Sequence, residues 1–195
     1  MFFTFYIIIL SLSAFILSYA ITFIARYFLQ LAMVEDIPNE RSNHSAPVPR
    51  GGGIAIIVPL LGFLLVAGAP SPLIWGAIGL SIISFRDDLV GMGVRERLII
   101  QIAASLLAIT ALDGMIFQGI LPFWLDRTVA TLLLVGFLNL YNFMDGIDGI
   151  ASAQTISIGV GLVALGASIP ALDIGIAIDG VLLVFCTLGF ALYNW

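Results

Sequence analysis

The sequence predicts an all-α fold: a polytopic membrane helix bundle of about seven transmembrane helices, with the N-terminus outside and the C-terminus cytoplasmic. Three observations lead there. The 195 residues are 61% hydrophobic and 10% charged, with a mean hydropathy of +1.16, more apolar than a soluble core requires. Apolar runs recur at close to the ~20 residues that cross a hydrocarbon layer of about 30 Å. The arginines Arg26, Arg41, Arg50, Arg86, Arg95 and Arg97 all follow the first or third run, on one side, and only Arg127 falls opposite. By the positive-inside rule the arginine-rich side is cytoplasmic.

Taken in order, the runs place helices near 3–25, 53–69, 72–85, 98–112, 124–142, 150–168 and 174–192, within a single transmembrane domain over 1–195. The first has no basic segment before it and no small-residue cleavage site soon enough after it, so it reads as a retained helix rather than a cleaved signal. Between the first two runs lies DIPNERSNHSAPVPRGGG, in which Pro38, Pro47 and Pro49 oppose helix and Gly51 to Gly53 lead into the second run. The third and fourth runs are short enough to be re-entrant or buried segments. Span six carries Ala153, Ser157 and Gly161 at spacings of four, a stripe that admits close approach of another helix and reads as packing. Asp179 falls inside span seven; the other acids gather at one rim rather than near the midplane, which argues against a transporter.

Charge excludes further classes. The net charge of -5, with seven arginines and no lysine, argues against nucleic acid and leaves no polybasic tract for anionic lipid. The single cysteine, Cys186, lies in an apolar run and reads as a small buried hydrophobe. The outer loops, which carry Asp113, Asp126 and Asp173, are too short to form a domain.

Two pairs of carboxylates stand out against this background. An ionised Asp at the bilayer centre costs roughly 2.5–3.5 kcal/mol, so such groups face a polar cavity or an ion. Asp145 and Asp148 are three apart in NFMDGIDG, hence on one face of a helix starting there, close to its positive end; Gly146 and Gly149 leave the backbone open, and Asn142 is nearby. A helix cap is the structural alternative for one Asp, less so for the whole motif. Asp87 and Asp88 are adjacent, about 100° apart if helical. A short third span would recess this pair in a cleft at the cytoplasmic edge; the alternative is a solvated pair neutralised by Arg86, Arg95 and Arg97. Hard oxygen donors imply a hard cation such as Mg²⁺ shared with a phosphate substrate. One His and one Cys without ligand spacing disfavour zinc. Arg50, beside the glycines that open the second helix, has the chemistry to pair with a phosphate, or to serve as an anchor at the membrane edge. His44 reads as a solvated loop histidine.

In order, DIPNERSNHSAPVPRGGG, FRDDLVG with Gln101 beyond it, and NLYNFMDGIDG resemble the polyprenyl-phosphate N-acetylhexosamine-1-phosphate transferases, which include the phospho-N-acetylmuramoyl-pentapeptide transferase. The first loop looks closest to the bacterial branch that starts O-antigen and related surface polysaccharides. The resemblance implies transfer of an N-acetylhexosamine 1-phosphate from a UDP-sugar to undecaprenyl phosphate, with release of UMP. It implies a multi-pass protein of the bacterial inner membrane with its active face cytoplasmic, Mg²⁺ as cofactor with Mn²⁺ as the other candidate, and room for a homodimer. Asp87 and Asp88 match the acidic pair held to act on the lipid phosphate. Asp145 and Asp148 match the second acidic motif, beside metal and nucleotide; Asn142 matches its asparagine, and Arg50 the basic residue before the glycines.

The sequence departs from that pattern at its end. Members continue past a segment like GFALYNW into a further acidic motif and a histidine-rich loop, so this chain resembles the first half to two-thirds of one. A truncated, non-catalytic membrane fragment or assembly partner is therefore the competing expectation. Two other membrane enzyme classes fit less well: CDP-alcohol phosphotransferases need Ala-Arg where Ile150, Ala151 and Ser152 follow Gly149, and intramembrane prenyltransferases use a longer aspartate spacing.

Overall fold

A computed structural model of the chain describes residues 2–31, 35–36, 48–49, 51–144, 149–169 and 174–193. Among them are seven helices: α1 (Phe2–Leu31), α2 (Ile54–Val66), α3 (Ser71–Val90), α4 (Val94–Ile109), α5 (Phe123–Met144), α6 (Ile150–Ser168) and α7 (Ile174–Ala191). Two short strands, β1 (Glu35–Asp36) and β2 (Val48–Pro49), pair antiparallel between α1 and α2. The all-α class and the number of helices agree with the sequence reading. Four helices are long and apolar enough to cross a membrane: α1 over Thr4–Leu31, α5, α6 and α7. At 13 residues α2 spans only about 20 Å, short of the hydrocarbon thickness.

One helix end differs in a way that matters. The third span was expected to stop near residue 85 and leave the acidic pair beyond a short helix; instead α3 runs 20 residues, about 30 Å, and takes Arg86, Asp87 and Asp88 into its last turns. Charge does not stop a helix whose backbone bonds are intact. Gly91 does: its φ of 70° leaves the helical region at no steric cost, while its N–H still donates to the Asp87 carbonyl at 2.9 Å.

The chain divides into two compact units. The first comprises Met1–Leu64 and Asp145–Trp195, and its core is the cluster Leu10, Ala14, Leu182 and Cys186, flanked by Ile56, Leu60 and Phe63 of α2. Helix α7 packs on α1 and on α6, and glycines set how closely. A Cβ built on Gly189 would lie 2.6 Å from the Phe15 carbonyl oxygen, and one on Gly180 2.6 Å from that of Gly159. Ser18 donates its hydroxyl to the Cys186 carbonyl at 2.5 Å. Such close backbone approach replaces the hydrophobic driving force that lipid removes. The stripe expected to pack, Ala153, Ser157 and Gly161, is exposed, and a Cβ on Gly161 would meet nothing within 4 Å. Helix α6 instead buries Ser152 and Gly159 and sets Gly166 against Ala177. Which stripe of small residues packs is decided by the partner helix, and α7 offers Ala177 and Gly180 to the second one.

The second unit, Leu65–Met144, holds α3, α4 and α5. The three-residue turn Gly91–Met92–Gly93 makes α3 and α4 an antiparallel hairpin, and α5 returns antiparallel to α4. The loop between α4 and α5 is tied down by two adjacent residues of α5. Asp126 is fully buried and accepts the N–H groups of Ile116 (3.0 Å) and Phe117 (2.8 Å). Arg127 donates to the carbonyls of Ile109 (2.8 Å), Leu112 (3.0 Å) and Gly114 (2.6 Å) and lies over the Phe123 ring. The sequence reading had these two residues only as outer-loop charges. Asp126→Ala should destabilise the protein by roughly 1–3 kcal/mol, because two amides lose their acceptor, and Asp126→Asn by less. Thermal unfolding in detergent measures both.

Candidate active site

Within the second unit α3, α4 and α5 alternate in direction, so the last turn of α3, the first turn of α4 and the last turn of α5 share one end. Asp87 and Asp88 occupy the first of these, partly exposed. Carboxylates at a helix C-terminus face the negative end of its dipole, which is unfavourable by about 0.3–1 kcal/mol each. Arg97, in the first turn of α4, sits as unfavourably at a positive end. The two misplacements answer one another: Arg97 Nη2 lies 3.0 Å from Asp87 Oδ2 and 3.4 Å from Oδ1. Of the three arginines that could neutralise the pair, Arg86 and Arg95 are exposed and Arg97 makes the ion pair. With 36% of the Arg97 side chain and 23% of that of Asp87 exposed, water screens this pair only in part. The Nε of Arg97 is buried, with no partner among the described residues.

At the same end, Asn142 lies exposed in the last turn of α5, three residues before Asp145. One turn earlier Asn139 donates its amide to Gln101 Oε1 of α4 at 2.7 Å and to the Val135 carbonyl at 2.8 Å. The sequence reading noted Gln101 as part of a motif and did not single out Asn139; only the NxxN spacing, which puts Asn139 and Asn142 on neighbouring faces one turn apart, hinted at it. The structure thus brings Asp87, Asp88 and Asn142 to one end of one unit. Arg50, Asp145, Asp148 and His44 lie outside the described residues. Among the described residues no three His, Cys, Asp or Glu side chains cluster to hold a metal.

This end combines hard oxygen donors, a guanidinium and an amide, the equipment for neutralising phosphate charge and taking up a proton. The family model "Glycosyl transferase family 4" matches residues 71–195, more than half of the chain and all of this end. The chain belongs to glycosyl transferase family 4. It is 25% identical over 177 residues to the probable undecaprenyl-phosphate N-acetylglucosaminyl 1-phosphate transferase of Bacillus subtilis, covering 82% of this chain and 48% of the relative. It is 29% identical over 178 residues to the decaprenyl-phosphate N-acetylglucosaminephosphotransferase of Mycobacterium leprae, covering 80% and 43%. It is 32% identical over 121 residues to the phospho-N-acetylmuramoyl-pentapeptide-transferase of Fervidobacterium nodosum, covering 56% and 40%. The chain therefore spans about half or less of the length of these family 4 relatives. The resemblance seen in the three motifs and the family match agree.

Proposed function

We propose that this family 4 chain takes part in transferring an N-acetylhexosamine 1-phosphate from a UDP-sugar to a polyprenyl phosphate such as undecaprenyl phosphate, releasing UMP. This would be the first step of O-antigen, surface polysaccharide or cell-wall synthesis. The observation that carries the reading is the Asp87–Asp88 pair in the last turn of α3, at the same end as Asn142, in a chain whose relatives are named for this transfer. In the step, an oxygen of the lipid phosphate attacks the β-phosphorus of the UDP-sugar. The bond from that phosphorus to the bridging oxygen breaks, and UMP leaves. One anhydride is exchanged for another. Asp87 and Asp88 act on the lipid phosphate, one of them accepting its proton when it arrives as the monoanion, and Arg97 offsets charge beside them.

Asp145 and Asp148 would hold Mg²⁺, or Mn²⁺, their hard oxygens suiting either ion. A bound divalent ion would neutralise charge that builds on the transferring phosphoryl group. Asn142 and Arg50 are assigned to the nucleotide and phosphate side. By the arginine distribution the reaction faces the cytoplasm, and the family resemblance puts it at the bacterial inner membrane.

The test is UMP release by purified protein in detergent, given UDP-N-acetylglucosamine, undecaprenyl phosphate and Mg²⁺. Release is expected, falling to background with EDTA and returning when Mg²⁺ is restored. Folded protein that releases no UMP would reject catalysis and favour the competing reading of a non-catalytic assembly partner.

A further inference from the structure

Helix α4 carries Arg97, Gln101 and Ser105 at spacings of four, hence on one face, in a helix otherwise rich in Leu, Ile and Ala. Polar residues in such a helix are costly unless each has a task. Gln101 and Ser105 are 9% and 1% exposed, so this part of the stripe is not a solvated face; the Ser105 hydroxyl has no partner among the described residues, and it is Arg97 and Gln101 that reach off the helix. Its first two members reach to different neighbours: Arg97 to Asp87 at the end of α3, and Gln101 to Asn139, one turn before Asn142 on α5. A neutral bond of 2.7 Å between α4 and α5 allows one register, because sliding either helix by a residue turns its partner about 100° away. The turn Gly91–Met92–Gly93 sets the other register, bringing Arg97 back to Asp87. The site's end of α3 and its end of α5 are thereby each referenced to α4.

We propose that α4 is a polar brace for the candidate site, with Arg97 and Gln101 as positioning residues: Arg97 sets the Asp87 carboxylate, and Gln101, through Asn139, sets the Asn142-bearing end of α5. The proposal rests on the transfer reading, which makes Asp87 and Asn142 the groups worth positioning. Arg97 is held by Asp87, and as a positioning residue its loss acts on turnover.

Three measurements on the purified protein decide it. In the UMP assay Arg97→Gln should lower kcat about 10- to 100-fold with KM for the UDP-sugar within about 3-fold, and Arg97→Lys should regain most of the loss. Arg95→Gln, an exposed neighbour, separates position from general charge: a loss equal to that of Arg97→Gln overturns the proposal, as does a change confined to KM. Second, Gln101→Leu and Asn139→Leu should each lower kcat several-fold, and the double variant should be no worse than either single one, because both partners of the bond are then gone; multiplied losses overturn the brace. Third, labelling of Asp87 by dicyclohexylcarbodiimide, read by peptide mass spectrometry, needs no activity. It should rise several-fold in Arg97→Gln and fall back in Arg97→Lys, since an ion-paired carboxylate is shielded from the reagent; unchanged labelling overturns the Arg97 arm. If unaltered protein releases no UMP, the transfer reading fails at that point, and the labelling still supports or overturns the hold of Arg97 on Asp87.

Discussion

Asp87→Asn and Asp88→Asn should each lower UMP release by roughly 10²–10⁴-fold, the range of a lost general acid or base. The substitution keeps size and shape, and both residues lie within an intact helix whose end is set by Gly91, so the fold should persist. On the proposed reading, what is lost is negative charge at the site's end and, in one of the two variants, the proton acceptor. Asp87→Asn also strips Arg97 of its counter-charge, leaving a guanidinium at the positive end of α4, so it should lower the melting temperature slightly as well as activity. Rates from the UMP assay and thermal scans of the same preparations separate the two effects. Activity retained in both variants would remove the pair from the mechanism.

The largest effect on stability is expected at Gly180→Leu. A Cβ there would sit 2.6 Å from the Gly159 carbonyl oxygen, 2.8 Å from the Val163 nitrogen and 2.9 Å from the Leu162 Cβ. Two of these are backbone atoms of α6, which cannot step aside as a rotamer can, so α6 and α7 must separate. Overpacking of this kind costs about 3 kcal/mol at the upper end of its usual range. Separation would also forfeit the contacts on either side, Gly166 against Ala177 and Gly159 against Val184. Gly161→Leu, on the same helix α6, is the control: nothing lies within 4 Å of that position, and the change should stay within about 0.5 kcal/mol. Thermal unfolding followed by size-exclusion chromatography in detergent compares them. Equal melting temperatures would mean that the Gly159–Gly180 approach does not hold α6 on α7.

Run length and hydropathy predicted seven helices, and for α1, α5, α6 and α7 the reason is that membrane spans must be long and apolar, a constraint written residue by residue. They misplaced the end of α3 because Arg86, Asp87 and Asp88 look like the edge of a span, whereas the backbone reads only its own hydrogen bonds until Gly91. They chose Ala153, Ser157 and Gly161 on α6 because these are small at the familiar spacing of four, while the contact with α7 uses Gly159 and Gly166, seven apart. Asp87 and Asp88 stood out because charge in a greasy sequence is conspicuous, and the structure sets them in the last turn of α3 at the end shared with Asn142. That Arg97 rather than Arg86 or Arg95 meets Asp87 depends on a three-residue turn, and the bond from Gln101 to Asn139 crosses 38 residues, so neither could be read from local pattern.

The division into units bears on the order in which the protein assembles. The second unit is one continuous stretch, and its ties are shorter than those of the first: Asp126 reaches back nine and ten residues, Arg127 thirteen to eighteen and Asn139 thirty-eight. Short loops close early and at small entropic cost, so α3, α4 and α5 can settle as each emerges from the ribosome. The first unit is discontinuous. Ser18 of α1 finds its acceptor at Cys186, 168 residues later, and the face of α1 that Gly189 approaches stays unpartnered until α7 is made. Helix α1 is thus made well before the helix that packs on it, and its α7-facing surface must wait through the synthesis of five intervening helices.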